Sequence, residues 1–491
     1  MKKERKLLPD EVQKLSKELV SLMELFIKAD KEIYLIGGAV RDLLIDKPMG
    51  DCDLTTNAKP EETMKITKSL SPFCDNDFGT VSVPAEEKEL MEITTFRSEE
   101  GYSDFRRPDQ VTWGKTLEED IQRRDFTINT LAIKPVTDEK KKITHYVVID
   151  LVDGTSDLMR GLVRAVGEAN KRFGEDALRM IRAVRLATNL KFKIEKETWE
   201  AIKLQSPLLK NISQERIRDE LFKILASGDP AGGVRKLIEG GLMEYIIPEL
   251  KGAAGVEQKG HHILDVLEHM IQSLEFCPSP DPLVRLAAFL HDIGKPESKR
   301  WRCPKCEWVM KDKDLKDGRL TCPRCSYQMD TREATTFYGH EVIGARMVEE
   351  IAKRLRLSKK QTDKLVTLVR WHMFAYQPEM TDAAIRRFIR RVGKENISDM
   401  ILLRIGDRKG GGSKATSWRL TELQKRVGEQ LYEPMEVRDL VIKGKEVMEI
   451  LNIKPGPKIG KILNQLFEEV IEDTSRNNKE YLTKRVKEFG K

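Results

Sequence analysis

Two aspartates placed one residue apart carry the first chemistry that this sequence suggests. Asp51 and Asp53 flank Cys52 in a short run that predicts a β-strand. Residues i and i+2 of a strand point to the same face, so both carboxylates can reach one pair of magnesium ions. Two-metal phosphoryl transfer needs such a pair, because one ion activates the attacking hydroxyl while the other holds the triphosphate.

A pair of glycines upstream predicts a cradle for phosphate groups. Gly37 and Gly38 follow a strand-like run and open a helix-like segment. Glycines there let backbone N–H groups approach phosphates, and a helix N-terminus favours negative charge. Arg41 lies in the first turn of that helix, within reach of a triphosphate. Each pattern alone is ordinary turn chemistry, whereas GGAVRD followed by DCDLTT favours catalysis.

A second acidic and basic pair predicts recognition of nucleotide bases. Asp176 and Arg179 belong to EDALR, at the start of a predicted helix over 175–190, and residues three apart share a helix face. An aspartate accepts a hydrogen bond from an exocyclic amine, and an arginine donates to ring nitrogens and carbonyls. C and A both offer an amine beside a ring acceptor, so the pair predicts acceptance of CTP and ATP without a template. A surface salt bridge is the alternative.

Histidines cluster in the middle of the chain. Six of the seven lie between residues 261 and 372. Mixed histidine and aspartate ligands suit Mn, Fe, Ni or Co better than magnesium. Six ligands allow a binuclear centre that activates water against a phosphate ester. The candidate ligands are His269, His291, Asp292, His340, His372 and Asp407, while His261 and His262 serve equally well as ordinary surface residues.

Two CxxC pairs predict a structural zinc site. CPKC and CPRC are separated by residues 307–321, a spacing typical of four thiolates around tetrahedral zinc. Basic and aromatic residues around these knuckles suit contact with RNA, but a solvated stabilising bulge is an open alternative. The insert lies between Asp292 and His340, so we expect it to overhang the histidine cluster. The predicted zinc ligands are Cys303, Cys306, Cys322 and Cys325.

Helices and short strands must position these groups. The chain has 491 residues, enough for three or four domains. Strand-like runs dominate the first 150 residues, and helical periodicity dominates the rest. The net charge of +7 permits a nucleic-acid partner without establishing one. No apolar segment follows the basic N-terminus and no run of 18 apolar residues occurs, so we expect a cytoplasmic protein without membrane spans.

The order of these motifs over residues 30–250 resembles the class II tRNA nucleotidyltransferase and bacterial poly(A) polymerase family. The resemblance implies that Glu92, in MEITTFR, is the third acidic residue of the head. It also implies roles for RRDFTIN: Arg124 contacts nucleotide phosphate, while Asp125 and Asn129 shape the sugar pocket. Ser213 to Ile217 is similar to the family's short neck motif. Arg182 and Arg185 then contact phosphate or balance Glu175 and Asp176.

The resemblance implies an α+β fold: a small mixed-sheet head followed by mostly helical domains. The expected domains are a nucleotidyltransferase head (1–150), a helical neck for nucleotide selection (151–255), an HD domain (256–415) with a zinc-ribbon insert (301–330), and a helical tail (416–491). The tail resembles that of the family, which contacts the elbow of the tRNA. The order H, HD, D resembles HD phosphohydrolases. Some tRNA nucleotidyltransferases carry such a domain, which implies phosphatase or 2′,3′-cyclic phosphodiesterase activity toward RNA ends.

The expected reaction is template-independent addition of CCA to tRNA from CTP and ATP, with two magnesium ions. The rivals are a poly(A) polymerase and an enzyme that adds only CC or only A. Bacterial poly(A) polymerases usually carry a Gly-Arg-Arg-Phe element that is missing from LSPFCDNDFGTVSV, which favours CCA addition. A phosphohydrolase with an RNA-binding head and a noncatalytic scaffold are the rivals of other classes. Whether the chain forms a homodimer is left open.

Overall fold

The chain folds as two compact units, Met1–Ile246 and Ile247–Lys491. The computed structural model describes residues 3–74, 79–85, 90–100, 110–114, 116–257, 264–311, 321–330, 334–374 and 376–490. His261 and His262 lie outside these ranges. The four-domain division stays a prediction.

A mixed sheet forms the centre of the first unit. The strands described in this unit are β1 (Lys3–Lys6), β2 (Ile33–Ile36), β3 (Cys52–Thr56), β4 (Phe73–Cys74), β5 (Thr80–Pro84), β6 (Leu90–Thr95), β7 (Arg97–Glu100), β8 (Gln110–Trp113), β9 (Ala132–Thr137), β10 (Ile143–Asp150), β11 (Leu162–Val163) and β12 (Lys193–Ile194). The strands of the main sheet run in the order β1-β10-β9-β2-β3-β6-β5-β4, and β3 and β6 are its parallel pair. Two small pairs, β7 with β8 and β11 with β12, are separate from it.

Apolar periodicity explains how this sheet is covered. All four residues of β2 are buried, as expected for an inner strand. Residues 17–28 form a helix that begins at the cap residue Ser16, whose hydroxyl accepts from the Leu19 N–H. The buried side chains of that helix recur at helical spacing and are Leu19, Leu22, Met23 and Phe26.

Short helices follow the sheet, and longer ones form the rest of this unit. The helices described are α1 (Pro9–Gln13), α2 (Lys17–Lys28), α3 (Gly38–Leu44), α4 (Pro60–Ile66), α5 (Leu117–Gln122), α6 (Gly154–Arg160), α7 (Ala169–Glu175), α8 (Leu178–Leu190), α9 (Lys196–Gln205), α10 (Gln214–Leu225), α11 (Pro230–Glu239) and α12 (Met243–Ile246). A 3₁₀ turn at Thr127–Asn129 carries part of the RRDFTIN motif.

The prediction of one helix over 175–190 is wrong in one respect, because the helix is interrupted at Asp176. This residue has an extended backbone (φ −141°, ψ 103°) between α7 and α8. Its carboxylate accepts a hydrogen bond from the Leu178 N–H at 3.0 Å. An aspartate that bonds to the backbone two residues on competes with helical bonding, which explains the break.

The second unit is almost entirely helical in its described part. A three-stranded sheet, in the order β14-β13-β15, forms the inserted ribbon from β13 (Arg300–Arg302), β14 (Val309–Met310) and β15 (Thr335–Thr336). The helices are α13 (Val266–Glu275), α14 (Pro282–Leu290), α15 (Lys295–Ser298), α16 (His340–Arg354), α17 (Lys359–Trp371), α18 (Asp382–Val392), α19 (Ile397–Gly410), α20 (Trp418–Gln430), α21 (Gly444–Leu451), α22 (Pro457–Glu472) and α23 (Lys479–Gly490).

A separate apolar core holds the last helices together. Its buried side chains come mainly from α21, α22 and α23, with Leu466 and Phe467 at its centre. The buried Arg386 donates to the carbonyls of Ile471 and Glu472 and so satisfies backbone groups at the end of α22. No described helix is long and apolar enough to cross a membrane. The predicted fold class, a mixed-sheet head followed by helices with a cysteine ribbon, is confirmed.

Candidate functional site

The register of three strands brings the head's candidate residues together. Asp53 on β3 lies opposite Ile36 on β2 and beside Glu92 on β6. Gly37 follows β2 directly and has φ +87°, a conformation that favours glycine. A Cβ at Gly37 would lie 3.4 Å from Asp53 Oδ2 and 3.9 Å from the Arg124 guanidinium. The predicted phosphate cradle therefore borders the predicted metal-binding carboxylate.

Negative charge at this point is only partly balanced. Burial raises the pKa of Asp53, and the nearby carboxylates of Glu92 and Asp51 raise it further against the opposing Arg124 and Arg182. Asp51 is exposed, in the bend before β3. Its carboxylate, with those of Asp53 and Glu92, does not form a ligand set within 4.8 Å in the described part of the chain. A bound cation would relieve this repulsion, and carboxylate oxygens are ligands that magnesium accepts.

Asp120 is a residue of this site that the sequence did not reveal. Its carboxylate is fully buried and accepts from Arg123 Nε at 3.0 Å and Arg124 Nη2 at 2.9 Å. Burial opposes ionisation, but the two guanidinium groups outweigh it and lower the pKa of Asp120. Asp120 thus holds Arg124 beside Gly37. Its i, i+3 and i+4 spacing to the arginines was a signal available in the sequence.

A polar chain connects the RRDFTIN motif to helices on both sides. Arg41 donates to Asn129 Oδ1 at 2.7 Å, and Asn129 donates to Asp125 Oδ1 at 3.3 Å. Arg182 of α8 binds the other oxygen of Asp125 at 2.6 and 3.0 Å. Although burial opposes it, Arg182 lowers the pKa of Asp125 to about 2. Four predicted residues therefore form one network.

The side chains of Asp176 and Arg179, the predicted base-recognition pair, bind other residues and not each other. Asp176 accepts from Arg216 Nη2 at 2.7 Å, and Arg179 binds Glu175 at 2.8 Å. Arg179 also donates to the Arg123 carbonyl at 2.9 Å, which ties it to the head motif. Arg216 belongs to the SQERI segment, so that motif supplies the partner of Asp176.

Arg185, the last candidate on α8, faces a different carboxylate. Its Nε lies 2.9 Å from Oε2 of the buried Glu220 on α10. Burial lowers the pKa of Arg185, and Glu220 opposes that shift. The geometry gives Arg185 a role in packing α8 against α10.

In the second unit, five helices bring the predicted histidine and aspartate ligands together. His269 lies within α13, His291 and Asp292 follow α14, His340 begins α16, His372 follows α17, and Asp407 lies in α19. A Cβ at Gly294 would lie 2.2 Å from the His340 carbonyl and 2.5 Å from the Gly344 nitrogen. The glycine of HDIGK therefore permits the close approach of α16.

Asp292 divides these ligands into two sets. Its Oδ2 lies 3.3 Å from His269 Nε2 and 3.2 Å from His291 Nε2. Its Oδ1 lies 3.2 Å from His340 Nε2 and 3.6 Å from His372 Nε2. Ligand atoms about 2.1 Å from one metal ion are about 3 to 3.5 Å apart. The two sets therefore have the spacing that metal ions would need, with one oxygen of Asp292 in each set and Asp407 joining the first set at 3.3 Å from His269.

Backbone carbonyls fix the orientation of three of the imidazoles. His291 Nδ1 lies 2.8 Å from the Ala288 carbonyl, His340 Nδ1 lies 2.8 Å from that of Phe337, and His372 Nδ1 lies 2.7 Å from that of Val369. A ring that donates from Nδ1 presents an unprotonated Nε2 to a metal ion. Each of these three histidines is thus oriented as a metal ligand.

The charge of this cluster calls for cations. Burial disfavours the charged imidazole of His291, but Asp292 and Asp407 outweigh it and raise its pKa to about 10. The pKa of Asp292 lies well below its ordinary value, because His291 and Lys295 outweigh the cost of burial. The protein holds two ionised carboxylates here among buried rings, an arrangement suited to divalent metals.

A cavity of about 680 Å³ opens over this cluster. Basic residues contribute to its wall at Lys295, Arg404 and Arg408. Arg404 is held at 2.6 Å from Asp407, and Lys295 at 2.6 Å from Asp292. A lining that combines the predicted metal ligands with cations suits a phosphate ester.

The four cysteines of the ribbon converge as predicted. Their Sγ atoms all lie within 4.8 Å of one another, with Cys303–Cys325 and Cys306–Cys322 at 3.6 Å. Four sulfurs 2.3 Å from a tetrahedral zinc are about 3.7 Å apart. Each knuckle turns back on itself: the Cys303 N–H donates to the Trp308 carbonyl, and the Cys322 N–H donates to the Tyr327 carbonyl. The cysteine set fits a structural zinc ion.

Replacing Asp120 by asparagine should destabilise the first unit. Removing one partner from a buried ion pair costs about 3 kcal/mol, because a buried guanidinium loses its counter-charge. The pKa of Asp120 is lowered on folding, so its contribution is complete above its unfolded value of about 4 and is lost as the pH falls below it. Urea unfolding should show that the wild type has a higher free energy of unfolding than Asp120→Asn, by a constant amount above pH 5 and by a smaller amount below pH 4.

The exposed Glu118 lies on the same helix, and Glu118→Gln is the matched control. This control should unfold like the wild type at every pH. An equal loss in both variants, or no loss in Asp120→Asn, would contradict the role given to Asp120.

Replacing Cys306 by serine should remove zinc from the ribbon. The small core around Trp301, Met310 and Met329 packs against the cysteines, so it should loosen when the ion is lost. We expect metal analysis to find about one zinc fewer per chain, and tryptophan fluorescence to shift to longer wavelength. Cys74→Ser, at an exposed cysteine outside the ribbon, should keep both signals. Full zinc content in Cys306→Ser would show that the four cysteines are not the site.

Matches to family models cover most of the chain. A model described as "Poly A polymerase head domain" matches residues 33–164, and one described as "Probable RNA and SrmB- binding site of polymerase A" matches residues 191–253. An HD domain model matches residues 260–408, and a model for domain 2 of tRNA nucleotidyltransferase matches residues 340–486.

Curated relatives and solved structures agree with these matches. A CCA-adding enzyme of Ligilactobacillus salivarius is 43% identical over 239 residues, so the chain spans 55% of that relative and matches it with 48% of its own length. The fold resembles that of a Bacillus stearothermophilus CCA-adding enzyme in complex with CTP, with a TM-score of 0.67, 25% identity and 98% of each chain covered. A Thermotoga maritima CCA-adding enzyme complexed with tRNA shares the fold at a TM-score of 0.57, with 17% identity and 99% of each chain covered.

One relative aligns along nearly its whole length. A CCA-adding enzyme of Pediococcus pentosaceus is 31% identical over 463 residues, which cover 94% of this chain and 94% of the relative. The chain therefore belongs to the CCA-adding enzyme family, the class of tRNA nucleotidyltransferase that its sequence predicted.

Proposed function

We propose that this chain adds C and A nucleotides from CTP and ATP to the 3′ end of tRNA, completing CCA without a nucleic-acid template. The observation that carries the proposal is the register that places Asp53 beside Glu92 and against Gly37. It joins a carboxylate pair on adjacent strands to a glycine-lined helix start. Solved family structures named as complexes with CTP, ATP and tRNA support these substrates and this partner.

Asp51, Asp53 and Glu92 would hold the magnesium ions of the head. Magnesium bound there would activate the tRNA 3′-hydroxyl and neutralise the charge of the triphosphate. The backbone N–H groups that begin α3 at Gly38 would bind the triphosphate, because helix N-termini favour anions. Arg124, kept in place by Asp120, would add a charged contact. The attacking oxygen then forms a bond to the α-phosphorus while the bond to pyrophosphate breaks.

Asp176 and Arg179 would select the base, with Arg216 as a third member. Both predicted residues hold ion pairs, Asp176 with Arg216 and Arg179 with Glu175. A base with an amine beside a ring acceptor can replace these partners, because its amine donates to the carboxylate and its ring nitrogen accepts from the guanidinium. U and G present the reverse pattern and would leave both charged groups without partners, which is costly.

Incubation of the protein with tRNA ending at the discriminator base tests this proposal. CTP alone should add two C residues, ATP alone should add nothing, and both together should complete CCA. Sequencing of product ends gives the result. A poly(A) polymerase would instead extend with ATP alone to many residues, and partial enzymes would stop at CC or add A only to a CC end.

Asp53→Asn should lower nucleotide incorporation at least 100-fold, because the loss of a metal-binding carboxylate removes transition-state stabilisation. Asp46→Asn is the matched control, since Asp46 is exposed and makes its ion pair with Lys14. An unchanged rate in Asp53→Asn would refute the mechanism.

We propose a second activity, hydrolysis of phosphate esters at RNA 3′ ends, in the HD domain. The bridging position of Asp292 between two pairs of histidines supports it. Mn, Fe, Ni or Co held by these residues would supply an activated water. Lys295, Arg404 and Arg408 would bind the phosphate oxygens. Water adds to phosphorus, one P–O bond breaks, and a 2′,3′-cyclic phosphate becomes a monophosphate.

His372→Ala should abolish manganese-stimulated hydrolysis of 2′,3′-cyclic AMP and leave nucleotide incorporation unchanged. His145→Ala serves as the control, because His145 lies on β10 of the first unit. Equal hydrolysis by wild type and His372→Ala would exclude the HD cavity as the site. A cytoplasmic location stays a prediction, as does a homodimer.

A further inference from the structure

We propose that Tyr338, carried to the mouth of the HD cavity by the cysteine ribbon, stacks on the base of a nucleotide whose phosphate lies at the histidine and aspartate cluster. The HD cavity would therefore prefer RNA 3′-terminal nucleotides to small phosphate esters. This inference rests on the hydrolase activity proposed above and adds a residue that would determine its preference for nucleotides.

The ribbon forms part of the cavity wall. Its last strand, β15, ends three residues before α16, and residues 335–338 line the cavity together with the predicted metal-binding side chains. Arg300 and Trp301 on β13 pair with Thr336 and Thr335 on β15. Cys303, the first predicted zinc ligand, comes directly after β13. The small sheet thus connects the four-cysteine cluster to the wall of the cavity.

Tyr338 is unusual among the aromatic residues of this wall because its ring stays in solvent. It is 71% exposed, and Arg302 Nη1 donates to its hydroxyl at 3.2 Å. Arg302 itself pairs with Glu307 at 2.9 Å within the first knuckle. The hydroxyl is therefore anchored to the ribbon while the faces of the ring remain available.

The composition of the cavity matches a nucleotide from one end to the other. The histidine and aspartate cluster and three cations line its inner part, where Lys295 and Arg404 bond to the two aspartates. At the mouth lie two exposed apolar groups, the Tyr338 ring and the Met373 side chain, which is 54% exposed. Every base offers a flat π-face, so stacking on an exposed tyrosine recognises a base without reading its identity. A small alkyl phosphate has no base and would contact only the histidine and aspartate cluster and the three cations.

Steady-state kinetics of the full-length, manganese-loaded protein tests the inference with two cyclic phosphates. The first, 2′,3′-cyclic AMP, carries a base, and the second, glycerol 1,2-cyclic phosphate, does not. Tyr338→Ala should raise KM for 2′,3′-cyclic AMP about tenfold, the usual effect of losing one stacking ring. Its kcat should stay unchanged, as should both constants for the glycerol ester. Tyr338→Phe keeps the ring and should behave like the wild type.

Tyr327→Ala is the matched control, because Tyr327 is an exposed tyrosine on the second knuckle that does not line the cavity. This variant should retain wild-type constants with both substrates. If Tyr338→Ala changes both substrates alike, or neither, the base-stacking role is refuted while the hydrolase stands.

Equilibrium binding separates the two proposals. Titration with 3′-AMP, a hydrolysis product, should show binding about tenfold weaker to manganese-loaded Tyr338→Ala than to the wild type. That difference without any hydrolysis by the wild type would refute the hydrolase and retain the base contact. Equal affinity in both proteins would refute the base contact.

Discussion

Ionised carboxylates in buried positions constrain both units of this protein. A carboxylate removed from water must find cations or donors, or else take up a proton. Asp120 receives two arginines, and Asp125 receives Arg182 and Asn129. Asp53 is the exception, because nearby acids raise its pKa further. This partly compensated carboxylate lies at the glycine turn, where bound cations would complete the balance of charge.

The same constraint takes a different form in the HD domain. Here Asp292 is surrounded by imidazoles and by Lys295. The imidazoles give this cluster two possible states, since they can hold protons or metal ions. The raised pKa of His291 shows how strongly the two aspartates demand positive charge. Backbone carbonyls that fix Nδ1 leave Nε2 facing that demand.

The sequence predicted those features of the site that follow from the geometry of one short motif. Asp53 and Glu92 lie on strands, Gly37 lies at a turn, and the four cysteines converge, because each pattern carries its own geometry over a few residues. The sequence did not show that Asp176 breaks a helix or that Arg216 is its partner, since that contact spans 40 residues. Asp120 was overlooked because an acidic residue before two arginines resembles an ordinary helix end. The roles assigned to the individual site residues stay predictions.

The ribbon is more than an appendage of the HD domain. The Phe337 carbonyl, directly after β15, lies 2.8 Å from His340 Nδ1 and sets which nitrogen that ligand presents. The position of β15 depends on its pairing with β13, and β13 leads into the first cysteine. A change at the four cysteines can therefore affect His340, a predicted metal ligand, through one strand and one hydrogen bond. This short path explains why an insert between Asp292 and His340 cannot be structurally neutral: it supplies both a wall of the cavity and the orientation of one of its ligands.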